Sequence, residues 1–332
     1  MQGLFAYTLR RLLWVPLVLL VVSFFTFTIT RFGPGDPVTI LAGQYQDPEV
    51  IERVKQERGL DQPFYEQYGI YMKNLLTKGD FGTSITIQRD FKVWDIIWPR
   101  MLVSLQPGLV ALVIAFPLGI AVGIFAALRQ GTWMDPFSIG TFLLLQSVPV
   151  LVTLPLLVLI FVVKLGWLPA TGWGGPRVDV GPQDIALGIF SRHIILPALV
   201  LSLPGVAGIA RLVRATTLSV LGEDYVRTAR AKGLPELTVV SRHVARNALL
   251  PLVTVVGLSL ITLLEGAFFT ETILGIPGIG RLGVEAAQSR DYDVILALVL
   301  ILAAAFVVAN IVIDIAYTFI DPRIRFGAQR SG

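Results

Sequence analysis

The chain of 332 residues is 54% hydrophobic and only 15% charged, with a formal net charge of +4, two histidines and no cysteine. A soluble domain carries about a quarter charged residues, so the composition argues against an ordinary soluble globule, and the missing thiols exclude disulfides and thiolate metal sites. His193 and His243 alone do not make a histidine-rich metal centre, and membrane topology explains the basic excess better than nucleic acid does.

Six apolar runs follow one another, at about 12–30, 102–128, 137–163, 194–213, 248–270 and 295–319. At 1.5 Å rise per residue such runs cross a hydrocarbon core of ~30 Å, so they predict an all-α polytopic membrane protein. Arg10 and Arg11 precede the first run, which is too long for a signal-peptide core and lacks an A-x-A site, so an uncleaved first helix is predicted.

Residues 31–101 form a long loop. Gly33-Pro34-Gly35-Asp36-Pro37 punctuates its start, and Asp47, Pro48 and Gly59 fit the N-cap, N1 and closing positions of a helix. The stretch "QPFYEQYGIYMKNLLTKGDFG" reads as a second, aromatic-faced helix. Such a folded cap either docks a partner or gates a pore, or it is a lid packed on its own helix ends.

Pro107, Pro117, Pro149, Pro155, Pro197, Pro204 and Pro251 fall in later runs, as Pro16 does in the first, where membrane helices tolerate kinks. Gly119 and Gly123 permit close helix approach and read as ordinary bundle packing. Trp167 and Trp173, in a Gly/Pro-rich loop, are expected at the membrane–water interface. The glycines between Gly275 and Gly283 lack a following Lys-Ser/Thr and suggest a re-entrant or lining loop at a pore mouth.

One polar stretch stands apart. In "EDYVRTARAKGL", Glu223 and Asp224 open a short helix and Arg227, Arg230 and Lys232 lie near its end, matching the helix dipole. Gly233 fits C′, Pro235 fits N1 of a following helix, and Ala229, Ala231 and Gly233 leave a last turn of little bulk. Two readings are open: a helix projecting from the membrane to meet a partner, or an inert basic loop. The basic residues set its side. With the N-terminus inside, inner segments hold 13 basic against five acidic residues and outer segments 14 against 16, nine of those 14 basic residues in the long loop. Both termini are therefore predicted to be cytoplasmic.

"DYVRTARAKGL…RHVARNALLP" resembles the EAA loop of importer-type ABC permeases of the dipeptide/oligopeptide family. "RRLLWVPLVLLVVSFFTFTITRFGPGDPVTILAG", "TETILGIPGIGRL" and "DIAYTFIDPRIR" are similar to that family's N-terminal signature, last outer loop and C-terminal end, so the likeness covers nearly the whole chain. It looks like the first of two permease subunits. The resemblance implies a type I importer permease fold: an N-terminus and first helix over 1–30, an extracytoplasmic cap loop over 31–101, a five-helix core over 102–320 with its coupling loop at about 222–251, and a tail over 321–332. It also implies a bacterial or archaeal cell (inner) membrane, a homologous second permease, two cytoplasmic ATPase subunits that bind ATP and Mg, and an extracytoplasmic substrate-binding protein. The chain itself would carry no catalytic residue, metal or cofactor. The sequence agrees in containing no G-x-x-x-x-G-K-[ST].

Carried over by position, the ATPase-coupling residues would be Asp224, Tyr225, Arg227, Ala229, Arg230, Ala231, Lys232 and Gly233, with Arg242, His243, Asn247 and Pro251 linking them to the fifth span. Glu265 stands within that span where the family usually has a small apolar residue. It either faces the translocation path and favours a cationic group, or lies near the outer end in solvent. Asp314 matches a family acid and is expected to brace the C-terminal segment. An ion-coupled secondary transporter, the alternative, would show several intramembrane carboxylates and internal repeats; two acids and no convincing repeat are visible. A membrane enzyme would need a metal set, a nucleophile elbow or a carboxylate dyad. The motifs are shared by permeases for dipeptides, oligopeptides, nickel chelates and sugar oligomers, so they do not select a cargo.

Overall fold

The computed structural model describes residues 2–32, 56, 61–174, 188–249, 251, 252, 255, 259 and 268–320, with backbone alone for 2–12 and 312–320. The helices are α1 (Gln2–Phe32), α2 (Phe64–Lys78), α3 (Val93–Leu128), α4 (Met134–Ser147), α5 (Val150–Leu157), α6 (Ile195–Leu221), α7 (Asp224–Ala231), α8 (Glu236–Thr238), α9 (Ala245–Ala248), α10 (Phe268–Leu274), α11 (Ile279–Ser289) and α12 (Tyr292–Ile320). Among the described residues no strand forms; Thr83 and Lys92 make one isolated bridge.

Among the described residues, four helical stretches are long and apolar enough to cross a membrane: Leu13–Phe32, Val93–Leu128, Arg192–Leu221 and Tyr292–Ile311. The expected third span is two helices, α4 and α5 with its π-helical extension to Lys164, bent by 99°. Val148 precedes a proline and is held extended at φ −81° and ψ 122°, and Pro149 has no N–H to continue the ladder, so the helix stops at Ser147 and restarts at Val150. Counting that pair as one span gives five. The expected fifth span, 248–270, lies largely outside the described residues, as do the expected helix from Asp47 to Gly59 apart from Gln56, and the tail from 321.

The chain divides into two compact units, 1–103 with 179–182 and 277–332, and 104–178 with 183–276. In the first, α2 lies on the end of α1. Phe27 is fully buried, with Tyr68 at 5.4 Å and Phe64 at 5.6 Å between ring centroids, and Ser23 Oγ and Tyr68 Oη share a 2.7 Å hydrogen bond. The aromatic-faced helix thus packs on the end of α1. α3 begins nine residues before the expected 102 because Val93, Ile96 and Ile97 bury themselves with Leu282 of α11 and Val294 of α12. The glycine-rich segment expected as a lining loop is helical from Ile279, with Gly278 as its N-cap.

The same unit contains a clasp. Asp291 is sealed from solvent between α11 and α12. It accepts hydrogen bonds from Ser84 Oγ at 2.5 Å and from the backbone N–H groups of Ile85, Thr86 and Ile87 at 3.0–3.2 Å. Three successive amides converging on one carboxylate form a nest, which suits a negative charge.

In the second unit, Gly119 and Gly123 of α3 lie against α6. A Cβ built on Gly119 would stand 2.7 Å from Ile209 Cβ, and one on Gly123 2.6 Å from the Ala210 carbonyl oxygen, so only glycine fits either place. Asp135, buried at the start of α4, takes a bidentate pair from Arg214 of α6, through Nε at 2.5 Å and Nη2 at 2.6 Å. Of the two tryptophans expected at the membrane–water interface, Trp173 is buried, its indole nitrogen against Gly188, and Trp167 is exposed.

Candidate functional site: a hairpin after α6

The polar stretch begins where α6 ends at Gly222. Glu223, extended at φ −72° and ψ 145°, is the N-cap of α7, and its carbonyl accepts the N–H groups of Val226 and Arg227. No side-chain cap bond forms, so the start is marked by backbone geometry and by Asp224 in the first turn.

The far end closes as a Schellman motif. With Lys232 as C-cap, Gly233 sits at C′ at φ +75° and donates to the Arg230 carbonyl at 2.9 Å, while the Leu234 N–H reaches the Ala229 carbonyl at 3.4 Å. Pro235 is the N-cap of α8, one position before the expected N1, and its carbonyl receives the N–H groups of Thr238 and Val239. From there the chain runs through a π-helical turn, Val239–Val244, into α9.

Two antiparallel arms therefore fold over a very small core. Val226 and Ala229 of α7 are buried against Val239 and Val244 of the returning arm, with Val220 and Leu221 packed beside them. The structure places Ala229 in this core, so its small size serves the fold of the hairpin and not its outer face. Two polar clips join the arms outside. Arg230 donates to Glu236 through Nη2 at 2.7 Å and Nε at 3.2 Å, and Asn247 Nδ2 donates to Tyr225 Oη at 2.7 Å. The guanidinium beside Glu236 holds that carboxyl below the usual glutamate range and raises Arg230 in turn.

The outer face is what these contacts leave. Asp224, Arg227, Ala231, Lys232 and Gly233 are exposed, and Arg227 approaches Asp224 only to 3.8 Å. Leu237 is 81% exposed at the turn, beside the half-open Leu234. Sequence reasoning passed over Leu237 and Glu236: a leucine in "GLPELT" carries no periodic signal, and the Arg230–Glu236 pair bridges a turn instead of spacing along one helix. Of the supporting residues, Asn247 contacts Tyr225, Arg242 is exposed, His243 is half-buried, and Pro251 is exposed just beyond α9. Glu265 lies outside the described residues, and of Asp314 only the backbone is described.

A carboxylate that the sequence did not mark as buried is Glu271 of α10, fully enclosed and accepting the Ser104 hydroxyl at 2.7 Å. Among the described residues, no group of three His, Cys, Asp or Glu side chains could hold a metal ion.

Comparison with known families matches residues 119–326 to the binding-protein-dependent transport system inner membrane component and residues 4–104 to the N-terminal part of such membrane components. Among individual relatives, the chain is 38% identical to the dipeptide transport system permease protein of Alkalihalophilus pseudofirmus, over 97% of this chain and 99% of that protein. It is 39% identical to the glutathione transport system permease protein of Escherichia coli K12, over 96% of this chain and 99% of that protein. The oligopeptide transport system permease protein of Haemophilus influenzae is 36% identical, over 96% and 98%.

Proposed function

The chain belongs to the family of inner membrane components of binding-protein-dependent transport systems, and on that premise we propose that it forms part of the path by which peptides, or solutes built like them, enter the cell. It is a permease subunit of an ABC importer, a transport component and not an enzyme. In this reading six helices cross the membrane with both termini inside, and the loop after α1 folds outside as a cap. A second permease completes the path, two ATPase subunits bind ATP and Mg, and a binding protein delivers the cargo.

The observation that carries the reading is the hairpin. It is a prefolded polar knob attached directly to the end of a long apolar helix, α6, and it presents Asp224, Tyr225, Arg227, Ala231, Lys232, Leu234 and Leu237 outward. Such a knob fits a groove on an ATPase subunit, and its attachment makes α6 the lever that groove closure would move. Arg242, His243, Asn247 and Pro251 then serve as the return strut into the fifth span. The cargo follows from the relatives, whose names specify dipeptide, oligopeptide and glutathione.

The test is ATP-driven uptake of labelled di- and oligopeptides into vesicles holding the assembled transporter. Leu237→Asp leaves the hairpin core untouched because Leu237 is outside it; the expectation is normal insertion with uptake reduced by tenfold or more, the size of a lost interface anchor. Undiminished uptake in that variant would remove the coupling role, and uptake of no peptide by the wild type would remove the cargo assignment.

A further inference from the structure

A groove of about 370 Å³ opens between α4 and α6, close to the end of α6 that carries the hairpin. Its walls are apolar, from Ile139, Gly140 and Leu143 on one helix and Ala215 on the other, and its polar edge is made by Arg211 and the Asp135–Arg214 pair. A Cβ placed on Gly140 would meet nothing within 4 Å, so the space is open along the helix.

The charges at the edge do not cancel. Asp135 neutralises Arg214 but occupies only its Nε and Nη2, which leaves the N–H groups of Nη1 available. Arg211 is exposed and makes no ion pair among the described residues. Two guanidinium groups against one carboxylate leave one net positive charge above an apolar trough. The level of the edge is marked by a neighbour: Trp133, just before α4 and outward-facing, is of the residue type enriched at membrane–water interfaces. Arg129, just before it, lies over the Phe125 ring.

We propose that this groove binds one anionic glycerophospholipid, its phosphate on Arg211 and the free edge of Arg214, one acyl chain along Ile139, Gly140 and Leu143. A free phosphate would leave the apolar walls wet. A protein helix would have to bury Arg211 or bring its own acid, whereas a phospholipid satisfies both halves of the groove at once. The inference needs only that α4 and α6 cross a membrane with this end at its surface, not the transport reading.

The experiment is native mass spectrometry of the full-length chain with its associated subunits, extracted from membranes and washed in detergent, scoring retained phosphatidylglycerol against phosphatidylethanolamine. One phosphatidylglycerol per chain is expected in the wild type. Arg211→Gln should reduce its retention roughly fivefold, the loss typical of one basic residue at an anionic surface. Gly140→Leu, which fills the trough from a position with open space, should remove it, while Arg129→Gln at the same level outside the groove should change nothing. Helical circular dichroism confirms that each variant is folded. Equal retention in Arg211→Gln and Gly140→Leu, equal retention of the zwitterionic lipid, or a photo-crosslinker at Ile139 that captures a protein helix and no lipid would each overturn the proposal. Loss of peptide uptake with lipid retention intact would count against the transport reading alone.

Discussion

The clasp at Asp291 and the hairpin after α6 are both small assemblies that pin a loop in place, and they do so by opposite means. At the clasp one fully buried carboxylate collects two hydroxyls, of Ser84 and Thr86, and three backbone amides. At the hairpin four small side chains are buried and the clips that join the arms stand in solvent. Buried charge-assisted bonds are costly to break because each orphaned group keeps its desolvation penalty. Exposed pairs contribute little, since water and salt replace them readily. One assembly is therefore fixed by chemistry and the other mainly by geometry.

The sharpest way to break the contrast is at the clasp. Asp291→Ala removes the acceptor of the Ser84 and Thr86 hydroxyls and of three amides, and should cost about 3 kcal/mol or more. A lowered thermal midpoint of the purified chain and new protease cleavage within residues 79–92 would report it. Ala229→Asp places an acid in the four-residue core of the hairpin and should cost about 2 kcal/mol, read as faster amide hydrogen exchange confined to the hairpin. Gly233→Ala has space for its methyl group but must hold φ +75°, so a loss of about 1 kcal/mol is expected in the same exchange measurement. Smallest of all, Arg230→Ala should change hairpin stability by less than about 0.5 kcal/mol at neutral pH, and still less in high salt. The sign with pH is fixed by Glu236, whose folded carboxyl titrates below its unfolded value. The contribution of the pair is complete above the unfolded value and lost as the pH falls through the folded one. The difference between wild type and Arg230→Ala should thus vanish in strong acid.

How much of this was legible in the sequence depends on whether a feature is local. The hairpin helix was visible because acids, bases, a C′ glycine and a proline follow one another within thirteen residues and each has a meaning on its own. Gly119 and Gly123 were read as packing residues, and the distances to α6 explain why. Pro149 was expected to kink a span, but its predecessor turns the kink into a 99° break, and the size of a bend depends on which neighbours then receive the two halves. Asp291 was not singled out: its partners are backbone amides some 200 positions away in the chain, and amides have no letter in the sequence. Glu271 was grouped with an outer loop because "TETILG" is polar at its start, yet the carboxylate is enclosed and held by Ser104. The Ala229 assignment shows the same limit from the other side: a small residue was read as room for a partner, when the room was already taken by Val239 and Val244.

The two glycines of α3 have a mechanical consequence. Where long side chains separate two helices, rotamers can change and let one slide along the other; at Gly119 and Gly123 the α3 backbone lies directly against the stiff, β-branched Ile209 and Val213 and the Ala210 carbonyl of α6. Sliding there would require lifting one helix off the other, out of contact over at least one turn. Within their unit this contact would resist slip of one segment along the other, as the teeth of a splined shaft do. A thrust delivered at Gly222 would travel up both of them as one rod.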